Sequence, residues 1–484
     1  MKKEGSVRIN FIMNFILTIS NFLFPLITFP YISRVLGAAG VGTINFATSI
    51  VTYFSMVGML GIPTYGIRAC AKVRDDQKEL SKTVQEIMSL NAIVMSLSIL
   101  LYLITIMAVP QLRQEKLLYL ILSSTLIFNV LGVDWLYKAL ERYSYITVRS
   151  IIFKFLSVLF MFLLVRSEQD YVVYGALTVF AAVGSNALNF INLRKIVDWV
   201  PLGELNIIRH LRPTLTFFLL TVSTTIYLNV DTTMLGFIKG SEEVGYYSAA
   251  VKVKQILVSV VTSLGAVLLP RLSYYVEQNR EEEFKRLTKK ALNFVIVLSF
   301  PLVVYFILMS HQAILFLSGP EFLPATLPMQ LIMPTVLFIG LSNLMGIQIL
   351  VPTHREKLVV YSTMIGALVD ILINLVGIPF FGAAGAAFAS MIAEFSVVLV
   401  QILFLKDFII PLFKEIQSLK ILFALIISTA FTSICLGMFD LSNFLTLLVS
   451  SVVYFSVYLV MLIVLKENFI FDMIHSSLKK VGNI

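Results

Sequence analysis

Residues 91–108 read Asn-Ala-Ile-Val-Met-Ser-Leu-Ser-Ile-Leu-Leu-Tyr-Leu-Ile-Thr-Ile-Met-Ala, without one charged side chain. A helix that crosses the hydrocarbon of a bilayer needs ~20 mostly apolar residues. In lipid, every backbone N–H and C=O must pair within the protein, and a helix pairs its own. The stretch is therefore read as the centre of a membrane span over 84–109. Working outward, the same reading recurs at 9–33, 42–68, 115–138, 145–166, 170–194, 209–238, 243–272, 287–310, 322–351, 357–378, 382–406, 417–437 and 441–466. The expectation is an all-α integral membrane protein of about fourteen transmembrane helices with almost no soluble part. The first run follows Lys2, Lys3 and Arg8 as a secretory leader would, but it is too long for one and no cleavage-type site follows it.

Composition agrees. Of 484 residues, 58% are hydrophobic and 13% charged, with a mean hydropathy of +0.90. Ordinary globular chains are nearer a quarter charged. No G-x-x-x-x-G-K-[ST] run occurs, so ATP is not expected to bind. Cys70 and Cys435 lie far apart in or beside apolar runs and read as small core residues. His210, His311, His354 and His475 have no ligand spacing. No cofactor, catalytic site or resident metal is expected.

The net charge of +9 is explained by where the cations fall. With the N-terminus inside, only Arg34, Arg113, Lys116, Arg166 and Lys239 of the 37 lysines and arginines lie in outer segments. Lys154, Lys252 and Lys254 lie within runs, and all others in inner segments, including the polar insert 273–290. Short cytoplasmic loops carry the excess of Lys and Arg. One missed or extra span would invert the sign of every later loop, and no inversion occurs. Both termini are thus expected in the cytoplasm, and nucleic acid is not needed to explain the charge.

The chain repeats itself weakly. Val35-Leu36-Gly37 with Val41-Gly42 resembles Met234-Leu235-Gly236 with Val244-Gly245. Glu141-Arg142 sits like His354-Arg355, and Gly175-Ala176 like Gly385-Ala386-Ala387. Matches in one order at similar offset suggest two six-helix lobes, 1–200 and 201–410, with 411–484 adding two helices and a tail. Six spans per lobe is even, so the lobes would be related by a pseudo-two-fold axis along the membrane normal, with a cavity between them.

Three segments carry a family resemblance. Phe29-Pro30-Tyr31-Ile32-Ser33-Arg34-Val35-Leu36-Gly37, followed by Val41-Gly42-Thr43-Ile44-Asn45-Phe46-Ala47, resembles the start of Wzx-type polysaccharide repeat-unit flippases. Asp134-Trp135-Leu136-Tyr137-Lys138-Ala139-Leu140-Glu141-Arg142, with Arg149-Ser150 beyond, is similar to the same family, as is Asn229-Val230-Asp231-Thr232-Thr233-Met234-Leu235-Gly236. The resemblance spans essentially the whole chain. It implies the superfamily of multidrug exporters, lipid II flippases and polysaccharide transporters (MOP), a bacterial cytoplasmic-membrane location, and a polyprenyl-pyrophosphate-linked oligosaccharide as cargo for surface polysaccharide such as capsule. Membrane lipids, and a polysaccharide polymerase or other assembly proteins, would be its partners. The protein would act as a monomer. A multidrug/cation antiporter of the same superfamily is the alternative, and an acidic rather than basic cavity would mark it.

Ionisable side chains at membrane depth are costly and face a partner or a cavity. On the run 243–272, Ser248, Lys252, Gln255, Ser259, Thr262 and Ser263 form one stripe ~100° wide, and Lys254 points elsewhere. Lys252 is read as a cavity cation and Lys254 as secondary. A pyrophosphate cannot cross hydrocarbon unpaired, and Lys and Arg neutralise it. Arg34, Arg68 and Lys154 are further candidates for that headgroup, each against the plainer role of an interfacial anchor. On the first run Asn10, Asn14, Thr18, Asn21 and Thr28 share an ~80° sector, and Asn45, Ser49 and Thr52 continue the pattern on the second. Such stripes suit sugar hydroxyls, or equally helix packing. Asp231, Asp370 and Asn374, with Glu394 nearby, are read as a coupling site for Na+ or H+. The resemblance implies this, since some relatives hold such a site between the seventh, eleventh and twelfth helices.

Overall fold

The computed structural model describes residues 7–199, 205–438 and 441–471. The terminal cations Lys2, Lys3, Lys479 and Lys480 lie outside them. Among the described residues the regular structure is helical, with no strand. Ten helices are long and apolar enough to cross a membrane, or twelve if each of two bent pairs counts as one span. The bent pairs are Ile208–Leu219 with Thr221–Ile238, at 41°, and Pro320–Ile332 with Thr335–Leu350, at 42°.

Two of these helices are too long for one crossing. Val7–Met59 has 53 residues and Glu356–Phe404 has 49. Straight, either would exceed ~70 Å at 1.5 Å per residue, against ~30 Å of hydrocarbon. Each is broken by a glycine in the left-handed region: Gly37 (φ 66°) and Gly382 (φ 55°). At the second break the chain turns back on itself. A Cβ placed on Gly385 would lie 2.1 Å from the carbonyl oxygen of Gly377, whereas eight residues of continuous helix span ~12 Å. Without a hydrophobic drive between helices in lipid, small residues that let backbones touch hold them together. Ala383, Ala386, Ala387, Ala389 and Ala393 are all buried on the same arm.

Contacts divide the chain into two compact units, 1–245 and 246–484. In the first, Val7–Met59 packs against Gln77–Ala108, Lys116–Gly132, Tyr143–Leu164 and Ile208–Ile238. Polar side chains in these contacts are bonded, as lipid requires. Tyr31, from the first family segment, donates to the carbonyl of Val165 (2.7 Å), and Tyr102 to that of Tyr119 (2.7 Å). The repeated Val-Gly pairs meet one another. A Cβ on Gly42 would fall 1.6 Å from Ser241 O, and one on Gly245 would fall 2.1 Å from Ala38 O.

The segment joining Asn186–Leu193 to Ile208–Ile238 is fastened along the start of Gln77–Ala108. Asp76 caps that helix by accepting from Lys78 N and Glu79 N. Gln77 then donates to Ile196 O, and Gln85 to Asp198 O, both at 2.7 Å. Ser81 Oγ accepts from Asp198 N. Glu86 has no solvent exposure, and its carboxylate meets Asn206 N (2.8 Å), Arg209 Nε (2.7 Å) and His210 Nε2 (2.8 Å). His210 Nδ1 lies 2.6 Å from the Tyr65 hydroxyl. The span Ile208–Ile238 therefore begins as part of the first unit.

In the second unit Glu356–Phe404 packs on Thr326–Ile332 and Thr335–Ser342, and Glu281–Leu308 on Thr335–Ser342. Ser418–Gly437 and Asn443–Val464 form a tight pair. Tyr305 ties Glu281–Leu308 to the pair through Leu447 O (2.9 Å), and Tyr458 returns the bond to Val297 O (3.0 Å). Large apolar side chains such as Leu97, Leu100, Ile104, Leu368, Leu372 and Phe423 stand exposed along the helices, the arrangement of a protein whose outer solvent is lipid.

Candidate functional site

Lys154 lies mid-way along Tyr143–Leu164 and is buried. Its ammonium donates to Ser20 Oγ (2.8 Å) and Asn21 Oδ1 (2.5 Å) on Val7–Met59. Asn21 belongs to the polar sector expected on the first run, and Ser20 lies beside it. Nearby, Thr147 Oγ1 donates to Met13 O, which ties the same two helices together. Among the described residues no carboxylate pairs with Lys154. The ammonium is held by neutral oxygens alone, so no countercharge among the described residues cancels it.

Arg149, just over one turn before it, is compensated instead. It is 6% exposed and bonds Asp134 Oδ1 (3.1 Å) and Ser185 O (3.0 Å). Asn189 donates to the same Asp134 oxygen (2.7 Å) and to Gly132 O. The charge count had placed Arg149 among the inner-loop cations. The structure buries it, because the helix starts at Tyr143 and Arg149 falls inside the bundle. Glu86 is the second buried charge that sequence reasoning passed over. An ionisable residue within or beside an apolar run was the available signal in both cases.

The other candidates fall as follows. Arg34 is exposed, and its Nη1 donates to Pro30 O (2.5 Å). Arg68 is exposed on Ile62–Lys72, and Asn45 is half-buried. Asp231 is buried in the first unit, two residues after Asn229 and two before Thr233, whose hydroxyl donates to Ser49 Oγ (3.0 Å). In the second unit Lys252 and Lys254 are both half-buried, and neither forms an ion pair among the described residues. Along the expected stripe, Ser259, Thr262 and Ser263 donate to Ile256 O, Val258 O and Val260 O of their own helix. Those hydroxyls are satisfied locally, so Ser248, Lys252 and Gln255 are what the stripe has to offer a ligand. Asp370 and Asn374 are buried one turn apart on Glu356–Phe404, and Glu394 is half-buried on the same element. Among the described residues no three His, Cys, Asp or Glu side chains gather as a metal-binding group.

Comparison with known proteins adds the lineage. The family model "Polysaccharide biosynthesis protein" matches residues 7–276, and the MatE model matches 217–376. A putative O-antigen transporter of Escherichia coli (strain K12) is 24% identical over 405 residues, covering 83% of this chain and 97% of that protein. A putative O-antigen transporter of Shigella dysenteriae is 23% identical, covering 81% and 98%. Among solved structures, the lipid II flippase MurJ superposes with a TM-score of 0.69 at 17% identity, over 92% of this chain and 97% of that one. A multidrug resistance MATE family transporter of the MOP superfamily gives 0.59 at 11% identity, over 81% and 96%. All three quoted segments lie within residues 7–276, and the chain belongs to the polysaccharide biosynthesis protein family, a Wzx-type member of the MOP superfamily.

Proposed function

We propose that this protein flips polyprenyl-pyrophosphate-linked oligosaccharide repeat units across the bacterial cytoplasmic membrane, for assembly of a surface polysaccharide. The observation that carries the reading is Lys154: a buried ammonium bonded to two neutral side chains on an asparagine-bearing helix. A dense anion such as pyrophosphate is the complement of that site, and Asn and Ser oxygens suit its sugars. Lys252 and Lys254, which form no ion pair among the described residues, and Arg34, Arg68 and Asn45 are the further candidates for contact with the cargo. The O-antigen transporters that cover nearly their whole length with this chain support the same cargo class.

The proposed topology has fourteen spans with both termini cytoplasmic. It counts each helix broken at Gly37 or Gly382 as two spans and each bent pair as one. Two six-helix lobes would alternate access by rocking, while Ser418–Gly437 and Asn443–Val464 offer the polyprenyl tail an apolar wall. Asp231, Asp370 and Asn374, with Glu394, would hold the coupling Na+ or H+. A charge crossing the membrane gains ~2.3 kcal/mol per 100 mV, enough to bias such a cycle.

The test is transport of a fluorescent lipid-linked oligosaccharide in proteoliposomes, alongside surface polysaccharide in a flippase-deficient strain. Lys154→Gln is expected to cut transport about tenfold or more, the effect of losing one charge-assisted bond to an anion, and Lys154→Arg to retain part of it. Full export by Lys154→Gln would remove the headgroup role. Collapsing sodium and proton gradients separately tests coupling, and indifference to both would remove the ion site.

A further inference from the structure

We infer that the groove between the end of Gln77–Ala108 and the start of Lys116–Gly132 is a binding site for an anionic phospholipid, separate from the cargo path. The groove has a volume of about 340 Å³ and is lined by Leu103, Ile106, Met107 and Leu120, with Arg113 and Lys116 on its rim. That size falls in the range of small-molecule pockets.

Arg113 is held in place over the groove. Its Nε and Nη2 both donate to Met107 O, the Nε at 3.0 Å, so the guanidinium caps the end of one helix while standing on the rim. Its remaining N–H groups and the Lys116 ammonium form no ion pair among the described residues. The acid between them is occupied elsewhere: Glu115 Oε2 accepts from the Tyr171 hydroxyl at 2.7 Å. Two cations therefore stand together with the intervening carboxylate drawn toward a third helix.

The charge pattern of the chain makes this pairing stand out. Only Arg34, Arg113, Lys116, Arg166 and Lys239 fall on the side that the charge count assigns as outer, and two of these five share one groove. Exposed Leu100, Leu101, Ile104 and Met107 on one helix, and Leu117 and Leu120 on the other, extend the apolar walls along the bundle. An occupant that fits has a phosphate at one end and a long apolar body at the other. A phosphodiester lies across the two cations, and an acyl chain runs down the walls. A free phosphate would use the rim alone and leave the walls to other lipids.

Native mass spectrometry of the purified protein, with equal amounts of phosphatidylglycerol and phosphatidylethanolamine, tests the site. The wild type is expected to retain phosphatidylglycerol selectively. Lys116→Gln, which breaks no bond within the protein, is expected to weaken that retention about fivefold, the worth of one surface cation against an anionic lipid. Lys116→Arg is expected to restore it. Arg113→Gln with Lys116→Gln should abolish the preference, and an unchanged unfolding temperature for Lys116→Gln separates binding from folding. Three results would each overturn the proposal: unchanged retention in Lys116→Gln, equal loss in the outer-cation control Arg166→Gln, or displacement of the lipid by excess inorganic phosphate.

Discussion

Lys154 and Arg149 share one helix and both are buried, yet their surroundings give them opposite roles. Arg149 has Asp134 and a backbone carbonyl, so it is part of the scaffold. Lys154 has only neutral oxygens, so its charge is available. Arg149→Gln is accordingly expected to cost about 2 kcal/mol or more, since it strands a carboxylate and a carbonyl. Asp134 is 47% exposed, which keeps the cost below that of a fully enclosed pair. Arg74→Gln, at an exposed pair with Glu141, is expected to change stability by less than ~1 kcal/mol. Thermal unfolding in detergent compares the two. At this scale the sequence was half legible. An arginine or lysine inside an apolar run announces a buried charge, and Lys154 was found that way. Whether the charge is cancelled depends on a partner from another helix, which hydropathy does not report.

At the scale of elements, hydropathy found the oily cores of the spans and missed their ends. The run 84–109 corresponds to the helix Gln77–Ala108, which begins seven residues earlier. Backbone hydrogen bonding continues past the hydrocarbon into polar turns that a hydropathy window rejects. The same limit made 34–41 and 379–381 look like connections, whereas the helix is broken only at Gly37, inside the first, and at Gly382, just after the second. The glycines carry the turn because positive φ costs them nothing, and Gly385 adds a close approach of backbones. Gly385→Ala is expected to be severe, because its Cβ would sit 2.1 Å from Gly377 O. Gly377→Ala places its Cβ 3.2 Å from Gly385 O, which a small shift accommodates. Membrane yield and monodispersity of the two variants check the difference. A severe effect of Gly377→Ala alone would contradict it.

For the whole molecule, the sequence conveyed class and family, while packing units depend on contacts between residues far apart in the chain. The repeat suggested a lobe boundary near residue 200. Packing of the described residues groups 1–245, and the clamp on Glu86 supplies a physical reason for Ile208–Ile238 to begin there. The partners lie 120 to 124 residues from Glu86 in sequence, beyond any local pattern. A fragment ending at 245 keeps Arg209 and His210. One ending at 200 removes Asn206, Arg209 and His210 and leaves the Glu86 carboxylate without these partners. The longer fragment is expected to accumulate in membranes and the shorter to be degraded, measured by immunoblot after translation is stopped. Comparable half-lives would show that the clamp contributes little.

The clamp also sets a schedule for synthesis. At ~5–20 residues per second, the 124 residues that separate Glu86 from His210 take roughly 6–25 s to follow it out of the ribosome. Throughout that interval Gln77–Ala108 carries an acidic side chain whose basic partners Arg209 and His210 do not yet exist. The nascent chain must either keep that carboxyl protonated or leave it near the water of the membrane surface. Slowing elongation between these two points lengthens the time during which quality-control proteases can recognise it.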